Sequence, residues 1–128
     1  MNLNLSLVLS IGIGGFLGAI SRFYFNSFIL RFISFEFPFG ILIINIIGSF
    51  FIGILFSIFL NFNINENIRL FLTVGFLGAF TTYSTFAIDS FFLLKTSLFF
   101  GLLNILLSLV GTILFAGLGY KIGLYFIR

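Results

Sequence analysis

Apolar residues run in four long blocks, and the sparse charges set the boundaries between them. The uncharged windows cover residues 1–21, 37–65, 70–88 and 96–120, each close to or above the roughly 20 residues that carry an α-helix across a bilayer. The pattern predicts an all-α membrane protein: one domain over 1–128 with transmembrane helices at about 3–25, 39–61, 69–94 and 97–120. Small and polar residues recur inside these blocks at helical spacing. Gly14, Gly18 and Arg22 fall four residues apart, with Gly15 and Ala19 beside them, so one face of the first helix is nearly bare and another helix must pack there. Asn45, Ser49 and Gly53 mark the second helix in the same way, and Asn104, Ser108 and Thr112 mark the fourth. Each set forms a polar stripe on an apolar cylinder. Between the first two helices, residues 26–38 hold Arg31 and Glu36 and close on Pro38 and Gly40, which predicts a short interfacial connector and a new helix start.

The third block is the shortest and reads differently. Its segment GFLGAFTTYSTFAID (75–89) combines glycines with hydroxyl side chains that compete for backbone hydrogen bonds. Two readings fit: a broken helix, or a kinked one whose Thr and Ser hydroxyls bond back to the preceding turn. Non-helical backbone at membrane depth persists only where protein buries it or a polar cavity solvates it. Carbonyls freed by a break suit a hard monovalent cation. Tyr83 and Phe86 lie three residues apart and share a face once the helix restarts. Their ring edges carry positive quadrupole potential and can meet a small anion without trapping it as a Lys or Arg would. Simple packing is the alternative for both rings in a chain with 23 Phe.

Composition narrows the function classes. The 128 residues are 61% hydrophobic and 7% charged, a balance that requires lipid as solvent. Cys and His are absent, which removes disulfides, thiol and imidazole catalysis and the commonest zinc sites. The opening MNLNLSLVLSIGIGG lacks a basic n-region and an A-x-A site, so it reads as a retained helix. GIGGFLG has Leu17 at the third glycine position of a dinucleotide fingerprint and follows no strand. A net charge of +3 is too sparse for a nucleic-acid surface.

With four spans, Arg69, Lys121 and Arg128 share one side of the membrane, and Arg22, Arg31 and Lys95 share the other. That even split gives little instruction on orientation. It leaves open insertion both ways, which would build an antiparallel dimer, and a chance balance of a small count. Arg22 likewise leaves two readings, a side chain snorkelling near a helix end or one drawing anions into a vestibule.

Four stretches together carry a family resemblance: GGFLGAISRF (14–23), PFGILIINIIGSFFIG (38–53), GFLGAFTTYSTFAID (75–89) and NILLSLVGT (104–112). The chain resembles the bacterial fluoride channels, formerly called camphor-resistance proteins, over nearly its whole length. The resemblance implies a multi-pass protein of the bacterial inner membrane that assembles as an antiparallel, dual-topology homodimer. It implies passive export of fluoride, and a central sodium ion that is structural and not transported. Positions matching the sodium carbonyls are Gly78 and Thr81. Those matching the fluoride pathway are Asn45, the rings of Tyr83 and Phe86, and the hydroxyls of Ser84 and Thr85, with Ser108 and Thr112 continuing the polar track on the fourth helix. Two positions depart from the family's pattern: Tyr83 stands where Phe is usual, and Ala79 where Gly is common. The added hydroxyl is expected to alter conductance, and the added methyl to stiffen the break.

Other function classes fit less well. A small multidrug transporter also has four helices and possible dual topology, yet its proton-coupled members need an acid within the first helix, and Glu36 and Glu66 lie at loop positions here. A non-conducting assembly subunit leaves the polar stripes without a purpose. No nucleophile and base pair, metal cluster or ATP-binding motif suggests an enzyme.

Overall fold

The computed structural model describes residues 4–33 and 36–127. Leu3, the first residue of the first expected span, and Arg128 of the basic tail lie outside them. Four helices are long and apolar enough to cross a membrane: Leu5–Phe32, Phe39–Asn61, Glu66–Thr96 and Leu98–Ile127. We label them α1 (Leu5–Phe32), α2 (Phe39–Asn61), and, for the bent third span, α3 (Glu66–Leu70), π1 (Phe71–Leu77), α4 (Gly78–Phe80) and α5 (Tyr83–Thr96). The last is α6 (Leu98–Ile127). Asn4 and Asn65 start α1 and α3 by accepting the amides of Ser6 and Asn67 at 3.3 and 2.8 Å, the usual use of Asn at a helix start.

The helices pack in two layers of contact. Along its length α2 lies against α6, and α1 lies against π1, with α4 also beside it. Glycines set both contacts. A Cβ on Gly14 or Gly18 would collide with the carbonyls of Phe71 and Phe76, and one on Gly53 or Gly119 with those of Ala116 and Phe50. Lipid chains are as apolar as the helices, so close backbone approach supplies the packing that water exclusion supplies elsewhere. Of Gly111, Gly117 and Gly119, which the sequence suggests for close packing on the fourth helix, Gly111 and Gly119 meet α2 closely while Gly117 has open space around it, as does Gly12; Gly123 adds a further close contact at Ser57. Ile44, Leu77 and Phe80 form the buried centre, while Phe16, Ile113 and Phe126 on the outer faces are exposed.

The helix ends differ from expectation at two places. Residues 26–32 continue α1 instead of forming a connector, because they contain neither Gly nor Pro and bury Ile29 in the bundle. Arg22 therefore lies ten residues inside α1, about 15 Å from its end, and not near a terminus. At the other end, α6 runs on to Ile127 because Gly119 and Gly123 meet α2 closely at Phe50 and Ser57.

Candidate functional site

The third span breaks at Thr81 and Thr82, whose backbones are extended (φ −80°, ψ 158° and φ −149°, ψ 117°). Glycine flexibility does not make this break: Gly78 is helical, at φ −62° and ψ −36°, and no described residue has positive φ. Hydroxyl and amide side chains make it. Asn45 of α2 donates from Nδ2 to the Thr82 carbonyl at 3.0 Å and accepts the Thr82 amide on Oδ1 at 2.8 Å. Both partners are buried. A single side-chain amide thus satisfies both backbone polar groups of the residue that leaves the helix, which membrane burial demands. The Thr82 hydroxyl then caps α5 by accepting the Thr85 amide at 3.3 Å. On the other side, Thr81 closes α4 with its amide and its hydroxyl both donating to the Leu77 carbonyl, at 3.0 and 2.9 Å.

The break exposes two opposite helix ends side by side. In a continuous helix the Thr82 amide would bond to the Gly78 carbonyl; here Asn45 holds it, so that carbonyl is released. The Thr81 carbonyl accepts one long bond, 3.4 Å, from a half-buried Arg22, which leaves its second lone pair. These are uncharged oxygens at the negative end of α4. Across the break the α5 N-terminus presents partial positive charge.

An open-sided cavity of about 320 Å³ lies beside the break. Asn45 and Ser49 of α2, Gly78 and Thr81 of the break, Tyr83 and Phe86 of α5, and Ser108 and Thr112 of α6 line it. Among the described residues no charged side chain does. The rings of Tyr83 and Phe86 sit 5.4 Å apart at 54°; Phe86 is 8% exposed and Tyr83 76%. The α6 hydroxyls are partly engaged, Thr112 donating to the Ser108 carbonyl at 2.6 Å.

Most of the expected site residues meet here, and three do not. Ser84 and Thr85 pair with the Thr82 hydroxyl, at 3.3 and 3.0 Å, and lie outside the cavity lining, as does Arg22. Thr82 escaped the sequence reading although it is the hub of the break; its place before the Y-S-T turn is a helix-start signal that would have pointed to it. The π-helical turn Phe71–Leu77 was also unforeseen. Within it the Thr73 carbonyl accepts the Gly78 amide, five residues on, and Thr73 joins the cavity wall.

Comparison with known proteins follows the same lines. A fluoride-specific ion channel FluC from Sulfurimonas denitrificans is 47% identical over 117 residues, 90% of this chain and 91% of the relative. FluC proteins from Nautilia profundicola and Campylobacter lari are 45% and 40% identical, over 89% and 90% of this chain and 91% and 95% of their own lengths. Four membrane-crossing helices and bacterial channel relatives make this a multi-pass bacterial membrane protein. The family described as CrcB-like protein, Camphor Resistance (CrcB), matches residues 9–120, and the chain belongs to that family.

Proposed function

We propose that this protein is a fluoride-specific channel that lets fluoride leave the cell passively and so lowers its toxicity. The observation that carries the reading is the cavity itself: ring edges, hydroxyls and an amide on membrane-crossing helices, with no fixed charge among the described residues of the lining. Fluoride is small and strongly hydrated, so a path for it must replace part of a water shell and still release the ion. Hydrogen-bond donors and ring edges do this, and a cationic lining would hold the ion too tightly. Hydrogen fluoride enters as the neutral acid, dissociates in the more alkaline cytoplasm, and the trapped anion leaves down its gradient.

The assembly proposed with this function is an antiparallel, dual-topology homodimer. Two features support it: a near-even split of basic residues between the two sides, Arg69, Lys121 and Arg128 against Arg31 and Lys95 once Arg22 is placed inside α1, and a cavity left open on the side where Tyr83 is exposed. A structural sodium ion also fits the break. The Gly78 and Thr81 carbonyls are the oxygens that would hold it, uncharged and hard as that ion prefers. Sodium there would supply positive charge to carbonyls that the broken helix leaves without amides.

Anion efflux from liposomes holding the purified protein tests the function. Fluoride escapes within the assay while chloride stays; equal leakage of both, or none of either, defeats the assignment. The drug-transporter reading finds no support in an α1 whose charged side chains are Arg22 and Arg31, with no acid.

A further inference from the structure

The polar stripe of α6 divides into two parts. Ser108 and Thr112 line the cavity, whereas Asn104, one turn earlier, does not. Asn104 is 1% exposed, and its Nδ2 donates to Ser90 Oγ at 2.9 Å. Ser90 is 5% exposed and donates from Oγ to the Phe86 carbonyl at 2.7 Å. A serine hydroxyl has one hydrogen and two lone pairs. Accepting from Asn104 therefore fixes its rotor toward Phe86, and two linked bonds in a dry setting polarise each other. The Phe86 carbonyl has its own ladder partner in the helical Ser90 amide, so this relay does more than satisfy a stray oxygen: it ties α6 to the first turns of α5. Just beyond, a Cβ on Gly101 would meet the Leu94 side chain, so the α5 and α6 pair is closed from its connection up to the cavity.

We infer that Asn104 and Ser90 are positioning residues for conduction. Their relay to the Phe86 carbonyl sets how far α5 leans from α6, and with it the gap between the Phe86 ring and the hydroxyls of Ser108 and Thr112. Neither residue touches the ion. The inference rests on the channel reading above.

The test measures fluoride efflux from proteoliposomes over a series of fluoride concentrations for the wild type, Ser90→Ala, Asn104→Leu, the double variant and Ser90→Thr. Each single loss of a relay member lowers efflux by about tenfold at low fluoride, the scale of one buried hydrogen bond, and raises the half-saturating fluoride concentration. The double variant is no worse than the worse single, since both break one relay. Ser90→Thr, which keeps the hydroxyl, stays within about twofold of the wild type. Size-exclusion profiles match throughout. Should Ser90→Ala not yield folded protein, Ser90→Cys, with its weak S–H donor, takes its place under the same expectation. Unchanged half-saturation in the single variants, losses that multiply in the double variant, or no rescue by threonine overturns the inference while leaving the channel intact. A wild type that carries no fluoride overturns the channel reading and the inference with it.

Discussion

Removing the Asn45 amide is the sharpest perturbation of the site. Asn45→Leu keeps the branching at Cγ and the number of side-chain heavy atoms, and deletes both bonds to Thr82, the 3.0 Å donation to its carbonyl and the 2.8 Å acceptance of its amide. Thr82 is 7% exposed and Asn45 8%, so water does not replace either partner readily. At about 1–3 kcal/mol for each orphaned buried group, the substitution costs about 2–6 kcal/mol in the broken conformation. The chain can recover part of this only by closing the helix across Thr81 and Thr82, which removes the released carbonyls and swings Tyr83 and Phe86 off the cavity. Either route lowers thermal stability in detergent and cuts fluoride efflux by at least about tenfold, the equivalent of 1.4 kcal/mol. Asn45→Asp separates the two effects. It keeps an acceptor for the Thr82 amide, so its stability lies between those of the wild type and Asn45→Leu. It also places an oxygen against the Thr82 carbonyl and an anionic group in the fluoride path, so its flux falls as far as in Asn45→Leu. Wild-type stability and flux in Asn45→Leu would refute the clamp.

Phe86→Ile removes the buried ring and suppresses fluoride efflux while the size-exclusion profile stays unchanged, whereas Tyr83→Phe keeps a ring edge and leaves efflux within a few fold; full flux in Phe86→Ile removes that ring from the path. Gly18→Val pushes α1 off the Phe76 carbonyl and abolishes monodisperse protein, while Gly117→Ala, with open space around it, raises the melting temperature by the helix preference of alanine, up to about 1 kcal/mol; the reverse order in a thermal melt contradicts the packing. Exchanging sodium for N-methylglucamine lowers the melting temperature of the wild type, and Thr81→Val, which leaves the backbone carbonyl in place, retains that dependence; a melt indifferent to sodium rules out the structural ion.

The number of spans was legible because nine charges in 128 residues leave few places for helix ends. Ends themselves were less so: α1 passes through Arg31 to Phe32, since a charge marks an interface without stopping a helix. The break was visible as a hydroxyl-rich segment, yet its cause was legible only in part. Glycines and hydroxyls shared the expected cause, with Gly78 and Thr81 at the centre; Gly78 stays helical, and the backbone leaves the helix at Thr81 and Thr82, where Asn45, 37 residues earlier, supplies the missing partners. Local composition does not carry that long-range pairing. Arg22 is a similar case: its bond to the Thr81 carbonyl depends on α1 crossing the break. The matching stripes on α2 and α6 did place Asn45, Ser108 and Thr112 together. They did not reveal that Asn104 turns to Ser90, because periodicity gives a residue's face and not its partner.

The central claim is that this chain conducts fluoride passively and selectively, and the reversal potential of the current across a planar bilayer tests it most directly. With chloride and pH equal on both sides and fluoride held in a tenfold gradient, the account predicts a current that reverses near 59 mV in magnitude, the value for one monovalent ion. A reversal potential near zero, or one that follows a proton or chloride gradient instead, would contradict it.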